Sequence, residues 1–379
     1  MKNIQMVDLK SQYEKIKVAV DKGIQEVIDS TAFIKGGKVV EFQQELENYL
    51  NVKHVIPVGN GTDALQIALM ALDLQPGDEL IAPAFTFIAT AEVVALLGLT
   101  PVLVDVDYHT HNISIDALKK AITPKTKAIV PVHLFGLNVD MEDLLAVAKE
   151  YNLYVIEDAC QSIGAVYTFS DGRQVQSGCM GDVGCTSFFP SKNLGCYGDG
   201  GAIFTNNDDL AKKMRSIANH GMETRYHHDR IGVNSRLDSI QAAVLQVKLN
   251  FLNEYIAARQ AVAAYYDTAF SNTDKLITPG RTASSTHVFH QYTLKLQNVD
   301  REKLQAYLKE KGIPSMVYYP IPLHVQKAYR SSKYKIGDFP VAEALSATVL
   351  SLPMHTELSS EQLEYITRHV LAFVENKKA

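Results

Sequence analysis

Short apolar segments alternate with helical patterns along residues 55–205. The apolar segments cover residues 55–58, 79–82, 101–104, 127–132, 153–157, 185–189 and 202–205. Between them, residues 62–72 have a helical pattern that is apolar nearly all round, and residues 141–151 an amphipathic one. Buried strands that alternate with helices are typical of βαβ units in a mostly parallel sheet covered on both faces. The pattern therefore predicts an α/β fold.

The pattern changes in the last third of the chain. The predicted elements there are a long helix over 238–252, a strand over 290–296, and helices over 301–311 and 360–373. Ser359 is placed to cap the last helix, with Gln362 at capping-box spacing. Mixed strands and helices after a long linking helix predict two domains, a large α/β domain at 1–250 and a smaller α+β domain at 251–379.

Composition narrows the classes of protein that fit. The 379 residues are 46% hydrophobic and 21% charged, which is typical of a soluble globular protein. No segment approaches the ~20 continuous apolar residues that cross a bilayer, and the first ten residues are too polar for a signal peptide. We therefore expect a cytoplasmic protein with no membrane partner. The net charge of -5 argues against binding nucleic acid, which requires a basic surface.

Three strand ends carry candidate chemistry, because ligands of open α/β sheets collect at the carboxyl ends of the strands. The first is the glycine turn at 59–63, which leads into a helix. Free N–H groups at that helix start, together with the Thr62 hydroxyl, would suit a phosphate. A glycine turn of this kind also occurs as a purely structural feature.

The other two strand ends carry ionisable side chains. Asp158 follows the strand at 153–157, and a buried carboxylate there needs a partner such as a pyridinium N–H; a helix or turn cap is the structural alternative. Lys192 follows the strand at 185–189 and precedes a glycine-rich segment. Desolvation at that position would favour the neutral amine that forms Schiff bases, although most lysines lie on the surface.

In order and spacing, these features resemble one known family. Gly61-Thr62, Asp158 with Gln161, and the segment 187–192 resemble the phosphate turn, pyridinium partner and Schiff-base segment of the DegT/DnrJ/EryC/StrS sugar aminotransferases. The resemblance extends from Asp8-Leu9 to the segment 352–355. It implies fold type I of the enzymes that use pyridoxal 5'-phosphate (PLP), with a mostly parallel sheet flanked by helices.

The resemblance also implies a role for each matching residue. Lys192 is the catalytic residue that forms the Schiff base, where dehydratases of this fold have histidine. Phe87 matches the aromatic that stacks on the cofactor ring. The full set of cofactor-binding residues implied is Gly61, Thr62, Asp63, Phe87, Asp158, Gln161, Ser187 and Asn234. Asn234 matches a phosphate contact from a neighbouring subunit, so a homodimer with shared active sites is implied, and glutamate is the implied amino donor.

The segment 220–238 is most similar to the subgroup that acts on UDP-2-acetamido-2-deoxy-3-oxo-glucuronate, an intermediate of surface polysaccharides. That substrate has a diphosphate and a carboxylate, which arginine binds well. The candidate substrate-binding residues are Arg225, His228, Arg236, Tyr318 and His324, with Arg236 for the carboxylate. Two observations leave the alternative of a 3-keto- or 4-keto-6-deoxy sugar open. The segment 234–238 also resembles enzymes for 3-keto-6-deoxy sugars, and Tyr318 lies where the glucuronate enzymes are expected to have a histidine.

The sequence signals for a metal site or for paired cysteines are weaker. His109 with His111, and His227 with His228, have no third metal ligand at suitable spacing, and the four cysteines form no CxxC pair. We therefore expect no metal site. Two alternatives from other classes remain: a non-catalytic regulator that keeps this fold, and a PLP enzyme for amino acids alone, such as a cystathionine-type lyase.

Overall fold

A seven-stranded sheet forms the centre of the computed structural model, which describes residues 3–329 and 333–376. Its strands are β1 (His54–Val58), β2 (Glu79–Pro83), β3 (Thr100–Val104), β4 (Thr126–Ile129), β5 (Tyr154–Asp158), β8 (Val183–Ser187) and β9 (Gly201–Thr205). The spatial order is β1-β9-β8-β5-β4-β2-β3. Only β9 runs antiparallel to its neighbours within this sheet. The predicted α/β fold with a mostly parallel sheet is confirmed.

Helices cover both faces of the sheet. The helices are α1 (Leu9–Ser30), α2 (Gly37–Leu50), α3 (Gly61–Ala71), α4 (Ala89–Leu96), α5 (Ile115–Ala121), α6 (Met141–Tyr151), α7 (Asp208–Ile217), α8 (Ser239–Leu249), α9 (Leu252–Phe270), α10 (Arg301–Glu310), α11 (Pro340–Thr348) and α12 (Ser360–Val374). Because side chains alternate along a strand, Ile156 of β5 packs with α3, α4 and α7, whereas its neighbour Val155 packs with α5 and α6. A third cluster joins β1 and β9 to α2 and α8.

The C-terminal part has its own small sheet and core. The short strands outside the large sheet are β6 (Val166–Thr168), β7 (Gln174–Gln176), β10 (Met222–Thr224), β11 (His227–His228), β12 (Leu276–Ile277), β13 (Tyr292–Leu296) and β14 (Val349–Leu352). Strands β12, β13 and β14 form an antiparallel sheet that packs with α9, α10 and α12. Ile4, near the other end of the chain, joins this core.

The predicted helix over 238–252 is corrected, because the helix stops at Leu249 and a second helix starts at Leu252. Helix α9 packs against both cores: Ile256 contacts the cluster at β1 and β9, and Tyr266 contacts the C-terminal core. A boundary at 250/251 therefore falls just before a helix shared by two cores, and the division into 1–250 and 251–379 stays a prediction.

The predicted capping signal at the start of α12 is confirmed. Ser359 and Gln362 form the predicted capping box of α12, and Asn60 caps α3 by accepting from the Asp63 N–H at 2.8 Å. No helix in the described part of the chain is long and apolar enough to cross a membrane.

Candidate active site

The carboxyl ends of β1, β2, β5 and β8 lie at one edge of the sheet, because these strands run in the same direction. Gly201, the first residue of the antiparallel β9, pairs there with both Val58 and Ser187. The glycine turn, Asp158 and the loop that carries Lys192 therefore meet at this edge.

Gly61 is packed tightly against two of its neighbours. A Cβ atom at this position would lie 2.8 Å from Cys160 Sγ and 2.8 Å from Ser187 Cβ. Only a residue without a side chain lets the start of α3 approach Ser187 this closely. Thr62 follows in the first turn of α3, so the start of this helix lies against Ser187, an arrangement suited to a phosphate.

The turn is tied to a distant segment of the same chain. Ser235 Oγ accepts from the Gly59 N–H at 2.8 Å and donates to Asp63 Oδ2 at 2.5 Å. Asp63 therefore supports the turn through Ser235, which the sequence did not reveal. Asn234, the adjacent residue, is exposed, so its side chain is available to another subunit.

Asp158, at the end of β5, is only 6% exposed. Its Oδ2 accepts from the Thr90 hydroxyl at 2.9 Å and its Oδ1 from the Cys160 N–H at 3.2 Å. These donors stabilise an ionised carboxylate. Thr90, on α4, was missed by sequence reasoning, because nothing in its own segment marks it and it lies 68 positions from Asp158.

Lys192 lies in a tight loop after β8. The loop is closed by hydrogen bonds from the Lys192 N–H to Phe189 O and from the Cys196 N–H to Phe188 O, both 2.8 Å. Burial lowers the pKa of Lys192 below its ordinary value, and nearby Cys160 and Asp158 offset this only in part. Within the described residues its ammonium makes no hydrogen bond or ion pair. An unpaired amine whose pKa is lowered is suited to Schiff-base formation.

Gln161 and Phe87 complete the cluster. Gln161 Oε1 accepts from the Phe135 N–H at 2.8 Å, and its Nε2 donates to the Tyr319 hydroxyl at 3.0 Å. Phe87 is 53% exposed, although its chain neighbours Phe85 and Thr86 are buried, and its ring lies 6.1 Å from that of Tyr319. An exposed aromatic at the edge of the sheet is a suitable face for a flat ligand.

These residues fit PLP. Gly61 leaves a cradle that a Cβ would fill, with the N–H groups of α3 and the Ser187 hydroxyl suited to its phosphate. Asp158 offers a carboxyl group for a ring nitrogen, Phe87 an apolar face, and Lys192 an amine. The individual roles of these residues stay predictions.

The candidate substrate-binding residues lie in several different environments. Arg236 is half-buried, its Nη2 donates to Asn219 Oδ1 at 3.4 Å, and its buried Nε has no partner. No carboxylate of the described residues forms an ion pair with it. Tyr318 is half-buried, and its ring lies 6.0 Å from that of Tyr319. Burial raises the pKa of the Tyr318 hydroxyl, so this side chain stays neutral.

The remaining candidates already have protein partners. Arg225 is exposed and lies over the Tyr226 ring, and His228 Nδ1 is 2.8 Å from the His220 carbonyl oxygen. His324 was expected at the rim of the site. Its side chain is instead buried, with Nε2 2.9 Å from Glu343 Oε1.

His109 and His111, which are close in sequence, lie in different environments. His111 is buried between the rings of Phe85 and Phe135, and His109 is not part of that stack. No group of three His, Cys, Asp or Glu side chains suited to a metal occurs within residues 3–329 and 333–376.

Comparison with known proteins identifies the family and its related enzymes. The family model of the DegT/DnrJ/EryC1/StrS aminotransferase family matches residues 14–371. Among curated relatives, UDP-2-acetamido-2-deoxy-3-oxo-D-glucuronate aminotransferase of Pseudomonas aeruginosa is 48% identical over 96% of this chain and 98% of its own. A "Pleiotropic regulatory protein" of Geobacillus stearothermophilus is 46% identical over 98% of both chains. UDP-N-acetyl-3-dehydro-alpha-D-glucosamine 3-aminotransferase of Acidithiobacillus ferrooxidans is 44% identical over 96% of both.

Solved structures agree with the fold. DesV of S. venezuelae, in complex with a ketimine intermediate, is 36% identical and superposes with a TM-score of 0.94 over 99% of each chain. NtdA of Bacillus subtilis, with the cofactor PMP bound, is 31% identical with a TM-score of 0.88 over 99% of this chain and 86% of its own.

Proposed function

Because the chain belongs to the DegT/DnrJ/EryC1/StrS aminotransferase family and is a PLP-dependent nucleotide-sugar aminotransferase, we propose that it aminates UDP-2-acetamido-2-deoxy-3-oxo-glucuronate with glutamate as the amino donor. We further propose that it works in the cytoplasm as a homodimer and that its product enters surface polysaccharide biosynthesis. Both the glutamate donor and the pathway follow from the family resemblance.

The observation that carries the substrate proposal is Arg236. Its guanidinium is half-buried, has an unpartnered Nε and makes no ion pair with a described carboxylate. A buried donor without a partner is costly, so a carboxylate supplied by the substrate would satisfy the Nε through a charge-assisted hydrogen bond. The relative that aminates the glucuronate substrate is also 48% identical.

The cofactor-site residues account for the remaining steps. When bound, PLP supplies the electron sink that lets an amino group leave one carbon and join another. Asp158 would hold the ring nitrogen, and the start of α3 with Ser187 would hold the phosphate. Lys192 Nζ would bind the cofactor as an amine and would accept and donate the proton at the reacting carbon of the substrate. Phe87 would lie against one face of the ring.

A second candidate substrate is a keto-sugar without a carboxylate, such as a 3-keto- or 4-keto-6-deoxy sugar. Tyr318 favours it, because a neutral phenol stands where a histidine that could carry positive charge is expected in glucuronate enzymes. The 44% identical relative is likewise named for a glucosamine derivative, which has no carboxylate.

Turnover of a small panel of sugars decides between the two. The enzyme in its pyridoxamine form is given the 3-keto uronate, the matching 3-keto sugar without the carboxylate, and a dTDP-linked 3-keto-6-deoxy sugar. We expect the uronate to have the highest kcat/KM. Arg236→Met should lower that value by about 10- to 100-fold, the worth of a hydrogen bond between charged groups, and should affect the other two sugars little.

Arg173→Met is a matched control, because Arg173 is exposed and contacts only its own local segment among the described residues: it forms an ion pair with Asp171 and lies over the Phe169 ring. It should leave all three values unchanged. Amination of a 6-deoxy sugar with no turnover of the uronate would overturn the proposed substrate, while the aminotransferase assignment would stand.

The homodimer proposal rests on Asn234. Side chains alternate along an extended segment, and Ser235 faces the glycine turn of its own chain. Asn234 is exposed and in our proposal reaches the phosphate of the partner's cofactor.

Mixing two inactive variants tests this arrangement. If Asn234 serves the partner's site, a heterodimer of Lys192→Ala and Asn234→Ala chains contains one intact site, and a mixed sample recovers about one quarter of the wild-type activity. If Asn234 serves its own site, no heterodimer has an intact site and no activity is recovered. Sedimentation of each variant checks that dimers form.

A further inference from the structure

Tyr319 connects the C-terminal part of the chain to the cofactor site. It lies in a segment at 317–329 next to the sheet edge, where the Leu323 N–H donates to Ala84 O at 2.9 Å. Further along the chain, the Tyr334 hydroxyl accepts from the Leu103 N–H at 2.9 Å. The Tyr319 hydroxyl accepts from Gln161 Nε2 at 3.0 Å. Two tyrosine hydroxyls of the C-terminal part thus bind the large α/β part of the chain, and of these two it is Tyr319 that touches a predicted cofactor ligand.

The hydrogen bonds of Gln161 fix which way its amide faces. Its Oε1 accepts from the Phe135 N–H at 2.8 Å, so the oxygen end is occupied. An amide nitrogen has two hydrogens, and one of them is bound by Tyr319. No hydrogen bond to a described residue uses the second, which is therefore free for a ligand at the sheet edge.

Tyr319 is itself held in place. Its ring lies 6.2 Å from that of Phe85 and 6.1 Å from that of Phe87, the predicted cover of the cofactor. Burial raises the pKa of its hydroxyl, so at neutral pH the group stays an uncharged phenol. Its oxygen can accept from Gln161 without placing a negative charge beside the site.

We propose that Tyr319 is a positioning residue that holds the Gln161 amide so that its second N–H is available to the phenolic oxygen of PLP. This inference rests on the proposed role of Gln161. A donor to that oxygen stabilises its negative charge, and the proton of the Schiff-base nitrogen is then lost at a lower pH. Tyr319 would thereby tune the cofactor without touching it.

The test is the pH midpoint of the visible absorbance of the holoenzyme, measured without substrate. Tyr319→Phe keeps the ring and removes the oxygen that binds Gln161, and we expect it to raise the midpoint by about half a pH unit, the scale of one weakened hydrogen bond. Gln161→Leu removes the donor itself and should raise the midpoint by more. Tyr334→Phe is the matched control, since it also removes one tyrosine hydroxyl that links the C-terminal part of the chain to the sheet.

Each combination of results either supports or overturns the inference. A midpoint raised in Tyr319→Phe and Gln161→Leu but unchanged in Tyr334→Phe supports it. Equal shifts in Tyr319→Phe and Tyr334→Phe would mean that weakening any contact between the C-terminal part of the chain and the sheet is enough to move the midpoint. That result overturns the inference. A shift in Gln161→Leu alone overturns the role of Tyr319 and leaves the proposed role of Gln161 intact. No shift in any variant overturns both.

Discussion

Replacing Gly61 with alanine should weaken cofactor binding while leaving the chain folded. The added Cβ would lie 2.8 Å from Cys160 Sγ and from Ser187 Cβ, whereas carbon atoms in contact are ~3.5–4.0 Å apart. The start of α3 or Ser187 must therefore shift by about 0.7 Å. Overpacking of this kind costs about 1–3 kcal/mol. Because both elements form the proposed phosphate cradle, we expect the Kd for PLP to rise by about 5- to 150-fold.

Gly37→Ala is the matched control for this change. Gly37 is the first residue of α2, as Gly61 is of α3, but a Cβ there would meet only Glu41 Oε1, at 3.7 Å. Both substitutions put alanine at a helix start, so any general effect of lost backbone freedom is shared. Only the Gly61 variant should lose affinity.

The assay is equilibrium dialysis of the cofactor-free variants against PLP, with thermal unfolding of the same samples. A second variant, Gly61→Ala with Cys160→Ala, removes one of the two close contacts and should recover part of the affinity. The reasoning is refuted if Gly61→Ala binds PLP within about twofold of the wild type and unfolds at the same temperature, because the cradle would then tolerate a side chain.

Two further predictions concern stability. Glu157→Gln should lower the free energy of unfolding by about 3 kcal/mol, because Oε2 accepts from the Gly178 N–H at 3.0 Å and from His133 Nε2 at 2.8 Å, and Oε1 accepts from the Met180 N–H at 2.6 Å. Denaturant unfolding with an unchanged midpoint would contradict this. His111 should destabilise the protein in acid, since burial lowers its pKa from 6.5 to about 3. Above pH 6.5 the ring is neutral in both the folded and the unfolded chain, but as the pH falls from 6.5 toward 3 only the unfolded chain gains the proton, so about 2 kcal/mol of stability is lost by pH 5. His111→Asn, which tolerates the positive φ of 64° at this position, should therefore lose less stability than the wild type between about pH 7.5 and pH 5. An equal loss in both proteins would exclude His111 as a source.

The large sheet could be predicted from the sequence because its strands are buried on both faces. Such strands appear as continuous apolar runs between helices, and each run overlaps an observed strand. The break between α8 and α9 could not be predicted in this way. Apolar residues continue at helical spacing across Asn250 and Phe251, and neither glycine nor proline marks the break. The turn depends on how the two helices pack on different cores.

Only some residues of the candidate site could be predicted from the sequence, for a related reason. Residues directly after strands share one edge by topology, so the order of the strands was enough to place Asp158 and Lys192 together. Thr90 and Tyr319 contact that cluster from elements 68 and 158 positions away from their partners. His324 was expected at the rim from its place in the sequence, but its ring is bound to Glu343. Contacts between distant elements leave no periodic signal.

Ser235 links the roles proposed for its two neighbours, Asn234 and Arg236, to the glycine turn. Sequence similarity singled out Asn234 and Arg236 as separate ligands, one for a phosphate and one for a sugar carboxylate. The residue between them donates to Asp63 and accepts from the Gly59 N–H, which fixes the segment on the glycine turn of its own chain. If Asn234 reaches the partner's cofactor, any shift of one subunit's phosphate turn moves a ligand of the other subunit's site. Cofactor binding at the two sites of the dimer would then be coupled through Ser235.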